Sequence, residues 1–182
     1  LKFHEVKIFS LIKNEITENE LTKNNITLIS EKKFNKFIYY LELNKPDILF
    51  FLGWSKFIDS LIYRNFLCIC MHPSKLPLFR GGSPLQNQII NNLTKSAITL
   101  FKINRFLDGG PITHQSSLLL NGDIKEIFSR IEKKGLNLIT RFIKDFKSKK
   151  IVYKKQNLKN KKIYKRRTPN LSFLPIDQFK KK

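Results

Sequence analysis

Residues 48–52, Ile48-Leu49-Phe50-Phe51-Leu52, are apolar at every position, and this run constrains the chain more than any other. A strand wetted on one face alternates apolar and polar residues. An unbroken apolar run belongs to a strand covered on both faces, as in a parallel sheet. A second such run spans Phe66 to Met71. Between them, Gly53-Trp54-Ser55 stops the first strand, and Phe57, Ile58, Leu61 and Ile62 suggest a short helix. Strand, helix, strand is the repeating unit, which argues for an α/β domain with a mostly parallel sheet and ligands bound beyond the carboxyl ends of its strands.

The flanking sequence extends this pattern. Val6 to Ile12 and Ile26 to Ile29 read as short strands either side of the polar stretch Asn14 to Asn25. Phe34, Phe37, Ile38 and Leu41 recur at helical spacing within Glu31 to Asn44, and Asn44-Lys45-Pro46-Asp47 ends that helix. Further on, Ser83 is placed to cap a helix over Leu85 to Asn91 with Pro84 in its first turn. Ala97 to Ile103 and Ile112 to Leu119 read as strands joined by the turn Asn104 to Gly110. Asp123 caps a helix from Ile124 to Phe146 whose Ile127, Ile131, Leu138, Phe142 and Ile143 share one face. From Lys147 the composition shifts to Lys, Asn and Arg, with Tyr153 and Tyr164 interleaved. The expected organisation is one domain over residues 1–150 and a basic extension, 151–182, packed on it.

The chain carries a formal charge of +21, a field that attracts nucleic acid, anionic lipid or phosphorylated small molecules. Its Ile, Asn and Lys content also makes much of that charge readable as solvated surface. Cys68 and Cys70 stand two apart, too few for a disulfide framework or a zinc site, so a reducing cytoplasmic setting and no metal are expected. No apolar run approaches the roughly 18 residues of a membrane span.

Chemistry concentrates around Cys70-Met71-His72-Pro73-Ser74-Lys75-Leu76-Pro77, where a histidine ends an apolar run and two prolines fix the loop that follows. Three further features follow in order: Arg80-Gly81-Gly82-Ser83-Pro84, Asp108-Gly109-Gly110-Pro111-Ile112 and Lys165-Arg166-Arg167-Thr168-Pro169. Together they resemble the folate-dependent formyltransferase family, whose pattern runs Asn-x-His-Pro-Ser-x-Leu-Pro, Arg-Gly-x-x-Pro, then Asp-x-Gly-x-Ile. The interval from His72 to Asp108 also resembles the family's. The resemblance covers Asp47 to about Pro169 and implies the formyltransferase fold, a Rossmann-like mostly parallel sheet with helices on both faces. The family's first βα unit, a strand and glycine-rich turn, is expected to be lacking.

What the resemblance implies chemically is attack of an amine on the formyl group of N10-formyltetrahydrofolate. An imidazole can move the proton, a neighbouring carboxylate can orient the ring, and a fixed donor can stabilise the oxyanion. His72, Asp108 and Cys70 fall at the family's catalytic positions. Cys70 replaces the usual Asn, and a thiol is a weaker donor than an amide. An active enzyme is nonetheless expected, with Cys70 not a nucleophile. The co-substrate's pterin is expected against Ser55, Lys56, Phe57 and Ile58, against Ser74, Lys75, Leu76 and Pro77, and against Asn104, Arg105, Phe106 and Leu107. Arg80, Gly81 and Gly82 are expected to meet the acceptor's phosphates, with Arg80 at the cleft mouth. The details around Cys70 and Arg80 look most like sugar N-formyltransferases, implying a nucleotide-linked 4-amino-deoxysugar as acceptor, with a homodimer left open and neither membrane nor nucleic acid as partner. The alternatives are a methionyl-tRNA formyltransferase-like enzyme, whose additional carboxyl-terminal barrel finds no room after Pro169, and a basic RNA- or folate-binding domain without turnover. His4 and His114 are read as structural, and Trp54 as core or pocket wall.

Overall fold

The computed structural model describes residues 6–10, 26–30 and 37–172. The chain divides into two compact units, Leu1–Pro46 and Asp47–Lys182. In the first, β1 (Val6–Ser10) pairs in parallel with β2 (Ile26–Ser30), in a register running from Val6 opposite Ile26 to Ser10 opposite Ser30. A parallel pair requires a crossover. The polar stretch between the two strands, residues 14–25, lies outside the described residues, as do His4 and residues 31–36 of the next predicted helix. The described part of that helix, α1 (Phe37–Asn44), buries Phe37 and Leu41. It ends as Lys45 turns to φ +41° and donates its N–H to the Leu41 carbonyl.

The second unit is built on a four-stranded sheet in the order β3-β4-β6-β7. β3 (Leu49–Leu52) and β4 (Cys68–His72) are parallel and joined through α2 (Ser60–Asn65), the strand–helix–strand unit read from the sequence. The helix starts later than expected because Asp59 accepts the Leu61 N–H and so sets its amino terminus. Phe57 is left exposed ahead of it. β6 (Lys95–Lys102) runs antiparallel to β4, and β7 (Ile112–Leu119) antiparallel to β6. The loop over residues 103–111 falls short of the dozen or so residues that a parallel crossover needs, so this end of the sheet reverses direction. Two short strands, β5 (Arg80–Gly81) and β8 (Ile163–Tyr164), form a separate parallel pair. Three of the five strand pairs among the described residues are therefore parallel.

α3 (Pro84–Ile90) follows β5, and α4 (Ile124–Lys147) follows β7. Asp123 and Glu126 close a reciprocal capping box at the start of α4. The apolar stripe of that helix, Ile127, Ile131, Leu138, Phe142 and Ile143, joins Ile69, Leu85, Ile98, Leu100, Leu118 and Leu120 in one core cluster. Side chains alternate along a strand. Because Ile69 packs in this core and Met71 meets α4 at Gly135, Cys68, Cys70 and His72 occupy the opposite face of β4. That face carries the site.

Candidate active site

His72 ends β4 opposite Thr99 of β6. It is 6% exposed, and its Nε2 lies 2.8 Å from the Phe79 carbonyl oxygen. A carbonyl only accepts, so Nε2 is the protonated nitrogen and the lone pair of the neutral ring sits on Nδ1. Nδ1 in turn is 3.7 Å from Asp108 Oδ2. That is too long for a hydrogen bond, and it leaves the carboxylate standing beside the ring's lone pair.

Asp108 comes from the loop between β6 and β7, which folds over the Cys70 and His72 face. Its backbone is left-handed, at φ +45°, and its Oδ2 accepts the Gly81 N–H at 2.7 Å. Phe79 and Ser83 are also left-handed, at +54° and +49°. Such conformations in non-glycine residues persist only when their surroundings hold them. Two of the three, Phe79 and Asp108, stand directly beside His72.

Cys70 is half-buried on the same face as His72, with Sγ 3.9 Å from the Met71 carbonyl. Burial, and secondarily the Asp108 carboxylate, push its thiol up to about 12. Near neutral pH it is a protonated, weakly donating group directed at backbone.

Several residues stand elsewhere than the sequence suggested. Arg80 is not at a cleft mouth: it is 4% exposed, and its Nε and Nη2 both donate to the Leu107 carbonyl, at 2.8 and 2.6 Å. Its Nε and Nη2 brace the residue before Asp108. Gly81 and Gly82 have their N–H groups engaged by Asp108 and by the Tyr164 carbonyl. A Cβ on Gly81 would collide with that carbonyl, and one on Gly82 with the backbone of Arg166. These glycines admit the C-terminal segment. Ser83 adjoins α3 but does not cap it; its Oγ accepts the Arg167 N–H instead.

The expected pterin contacts divide in the same way. Ser74 is fully buried, with Oγ donating to the Leu78 carbonyl, and Leu76 is buried, so neither faces a ligand. Lys75 is exposed and Pro77 half-buried. Ser55, Lys56 and Phe57 are exposed and Ile58 half-buried, in the segment that follows β3; Leu52 at its end pairs with Met71, next to His72. In the other loop, Asn104 Oδ1 accepts the Phe106 N–H, Arg105 lies over the Phe106 ring, and Phe106 and Leu107 are exposed.

Three residues of the site escaped the sequence reading. Phe79 supplies the carbonyl that fixes the His72 tautomer. Tyr164 stacks on the Phe79 ring with centroids 4.9 Å apart. Gln156 donates to the carbonyls of Asp108 and Gly110. The adjacent glycines Gly81 and Gly82 were the available signal, since such a pair marks a close backbone approach. His114, by contrast, pairs with Asp145 at 3.0 Å against Phe142, remote from this loop in the fold.

Residues 7–143 match the family model described as "Formyl transferase". The chain belongs to the formyl transferase family. It is 38% identical over 101 residues to the methionyl-tRNA formyltransferase of Mycoplasma genitalium, an alignment covering 54% of this chain and 32% of that one. Among solved structures, methionyl-tRNA formyltransferase from Clostridium thermocellum superposes with a TM-score of 0.75 at 30% identity, over 95% of this chain and 77% of that one. A 4-N formyltransferase from Francisella tularensis shares the fold, with a TM-score of 0.64 at 24% identity, over 81% and 59%. The chain spans between about a third and half the length of the curated relatives it matches, 32% and 52% for the first two. Among the described residues no helix is long and apolar enough to cross a membrane, and no cluster of His, Cys, Asp and Glu is arranged to hold a metal.

Proposed function

We propose that this protein transfers a formyl group from N10-formyltetrahydrofolate to the amine of an aminoacyl-tRNA. One observation carries the chemistry: a buried histidine whose Nε2–H is held by a backbone carbonyl, leaving its Nδ1 lone pair beside a carboxylate. Nδ1 accepts a proton as the amine becomes bonded to the formyl carbon. Asp108, fixed by the Gly81 N–H, stabilises the imidazolium so formed. The ring then returns that proton toward the departing nitrogen. N10-formyltetrahydrofolate supplies the activated formyl group and leaves as tetrahydrofolate. The exposed edges after β3 and β6 suit a flat heterocycle, with Phe57 and Phe106 as walls and the backbone of residues 55–58 and 104–107 offering polar groups. Two free thiols suit the reducing cytoplasm in which such substrates occur.

The choice of acceptor moves away from the nucleotide-linked amino sugar read from the sequence. Arg80, Gly81 and Gly82, which were to bind its diphosphate, are engaged within the protein. The net charge of +21 and the exposed Lys159, Lys161, Lys165 and Arg166 suit a polyanion. Two of the three relatives named above are methionyl-tRNA formyltransferases.

The test is folate absorbance with N10-formyltetrahydrofolate plus either methionyl-tRNA or a nucleotide-linked 4-amino-deoxysugar. Turnover should require the charged tRNA, and His72→Ala should lower kcat by about a hundredfold or more, within the range for loss of a general acid–base. Faster turnover of the amino sugar would reverse the acceptor assignment. Equal rates for wild type and His72→Ala would remove the mechanism.

A further inference from the structure

We propose that the C-terminal strap, residues 151–167, belongs to the working site, and that Gln156 is the positioning residue for Asp108. This rests on the roles proposed above for His72 and Asp108. The strap lies wholly beyond residues 7–143, the part of the chain that matches the family model.

Asp108 carries its carboxylate from a left-handed backbone, at φ +45°, so the direction of that carboxylate depends on how the turn around it is held. Arg80 holds the carbonyl before it, and the Gly81 N–H holds its side chain. The peptide that follows Asp108 is held at its N–H end, where Gly109 donates to the Phe106 carbonyl at 3.0 Å. Gln156 holds its carbonyl end: Nε2 donates to the Asp108 carbonyl at 3.1 Å and to the Gly110 carbonyl at 2.6 Å, bracketing the turn. Gln156 is 7% exposed, and its Oε1 is buried with no hydrogen-bond partner among the described residues. A buried acceptor left unmet is costly. A glutamine held in that state is placed for its donors.

The strap is itself fixed at both ends. Lys154, two residues before Gln156, exchanges two backbone hydrogen bonds with Ile112 at 2.8 Å. At the far end β8 pairs with β5, the Tyr164 carbonyl accepts the Gly82 N–H, and the Tyr164 ring stacks on Phe79, whose carbonyl holds His72. One segment thus reaches the backbone beside both members of the His72–Asp108 pair.

The experiment compares Gln156→Leu, Gln156→Glu and Gln156→Asn in the full chain, with Val152→Ala on the exposed strap surface as control. Leucine removes the donors, glutamate replaces the amide with acceptors at equal size, and asparagine shortens the reach. The expected result is a kcat lower by about a hundredfold for the first two, the scale of a misplaced catalytic group, with KM for both substrates within about twofold of wild type. The ring-nitrogen resonances of His72, assigned with His72→Gln, should shift while those of His114 stay, and the control should match wild type. Unchanged kcat and unchanged His72 resonances would overturn the proposal. So would failure of all three variants to fold, since Gln156 would then serve the fold alone. If wild type turns over no amine, the formyl-transfer reading falls by itself, and the His72 resonances still decide what Gln156 positions.

Discussion

Cys70 is the residue at which the site departs furthest from what the proposed formyl transfer asks for. An oxyanion forming near His72 needs a donor aimed at it. The thiol two residues away is weak and lies 3.9 Å from a carbonyl of its own strand. Cys70→Ala should therefore leave kcat within about twofold of wild type. Cys70→Asn, which offers an amide donor, should raise it by about tenfold, a part of what one oxyanion donor is worth. Steady-state kinetics on the two variants decide the point: a large loss in Cys70→Ala would mean that the sulfur contacts the reacting atoms. The pairing of His72 with Asp108 was legible through the family resemblance of the two loops that carry them; punctuation by proline marked only the first. Arg80 was misread for a physical reason. A guanidinium in a loop reads as surface charge unless the carbonyl it faces is known, and Leu107 is 27 positions away. Gln156 carries no local signal at all, since its partners lie 46 and 48 positions back.

At the scale of elements, β3, β4 and α4 were readable from periodicity alone, because an apolar run and a heptad-like stripe each fix one geometry. The antiparallel turn from β6 to β7 was not, since direction depends on loop length and neighbours and not on the strands themselves. The two thiols of β4 give this element a pH signature. Burial pushes both Cys68 and Cys70 up to about 12 from the ordinary 9.0; Lys102 opposes the shift at Cys68, while Asp108 adds to it at Cys70. The folded chain therefore keeps thiol protons that the unfolded chain releases above pH 9. Stability contributed by the neutral thiols is complete below pH 9 and declines as pH rises through 9 toward 12. Urea midpoints measured at pH 8 and at pH 10.5 should fall more for wild type than for a Cys68→Ala, Cys70→Ala double variant. Equal falls would show that the thiols titrate alike in both states.

The molecule as a whole is a basic body, and the strap makes its charge local to the site. Lys159, Lys161, Lys165 and Arg166 are exposed on the segment that braces Asp108 and His72. If the acceptor is a charged tRNA, its phosphates release counterions on binding, and affinity declines linearly on a log–log plot against salt. Each contacted phosphate contributes a slope of roughly 0.7 to 0.9, so replacing Lys159, Lys161, Lys165 and Arg166 by Ala should flatten the slope by about three if all four touch the backbone. Filter binding of charged tRNA between low and physiological salt measures this directly. The same four replacements should leave KM for N10-formyltetrahydrofolate unchanged, because the residues expected beside its pterin lie in the segments 55–58 and 104–107. A salt slope near zero in wild type would make the charge mere solvated surface. A steep slope untouched by the four replacements would move the polyanion off the strap to another face.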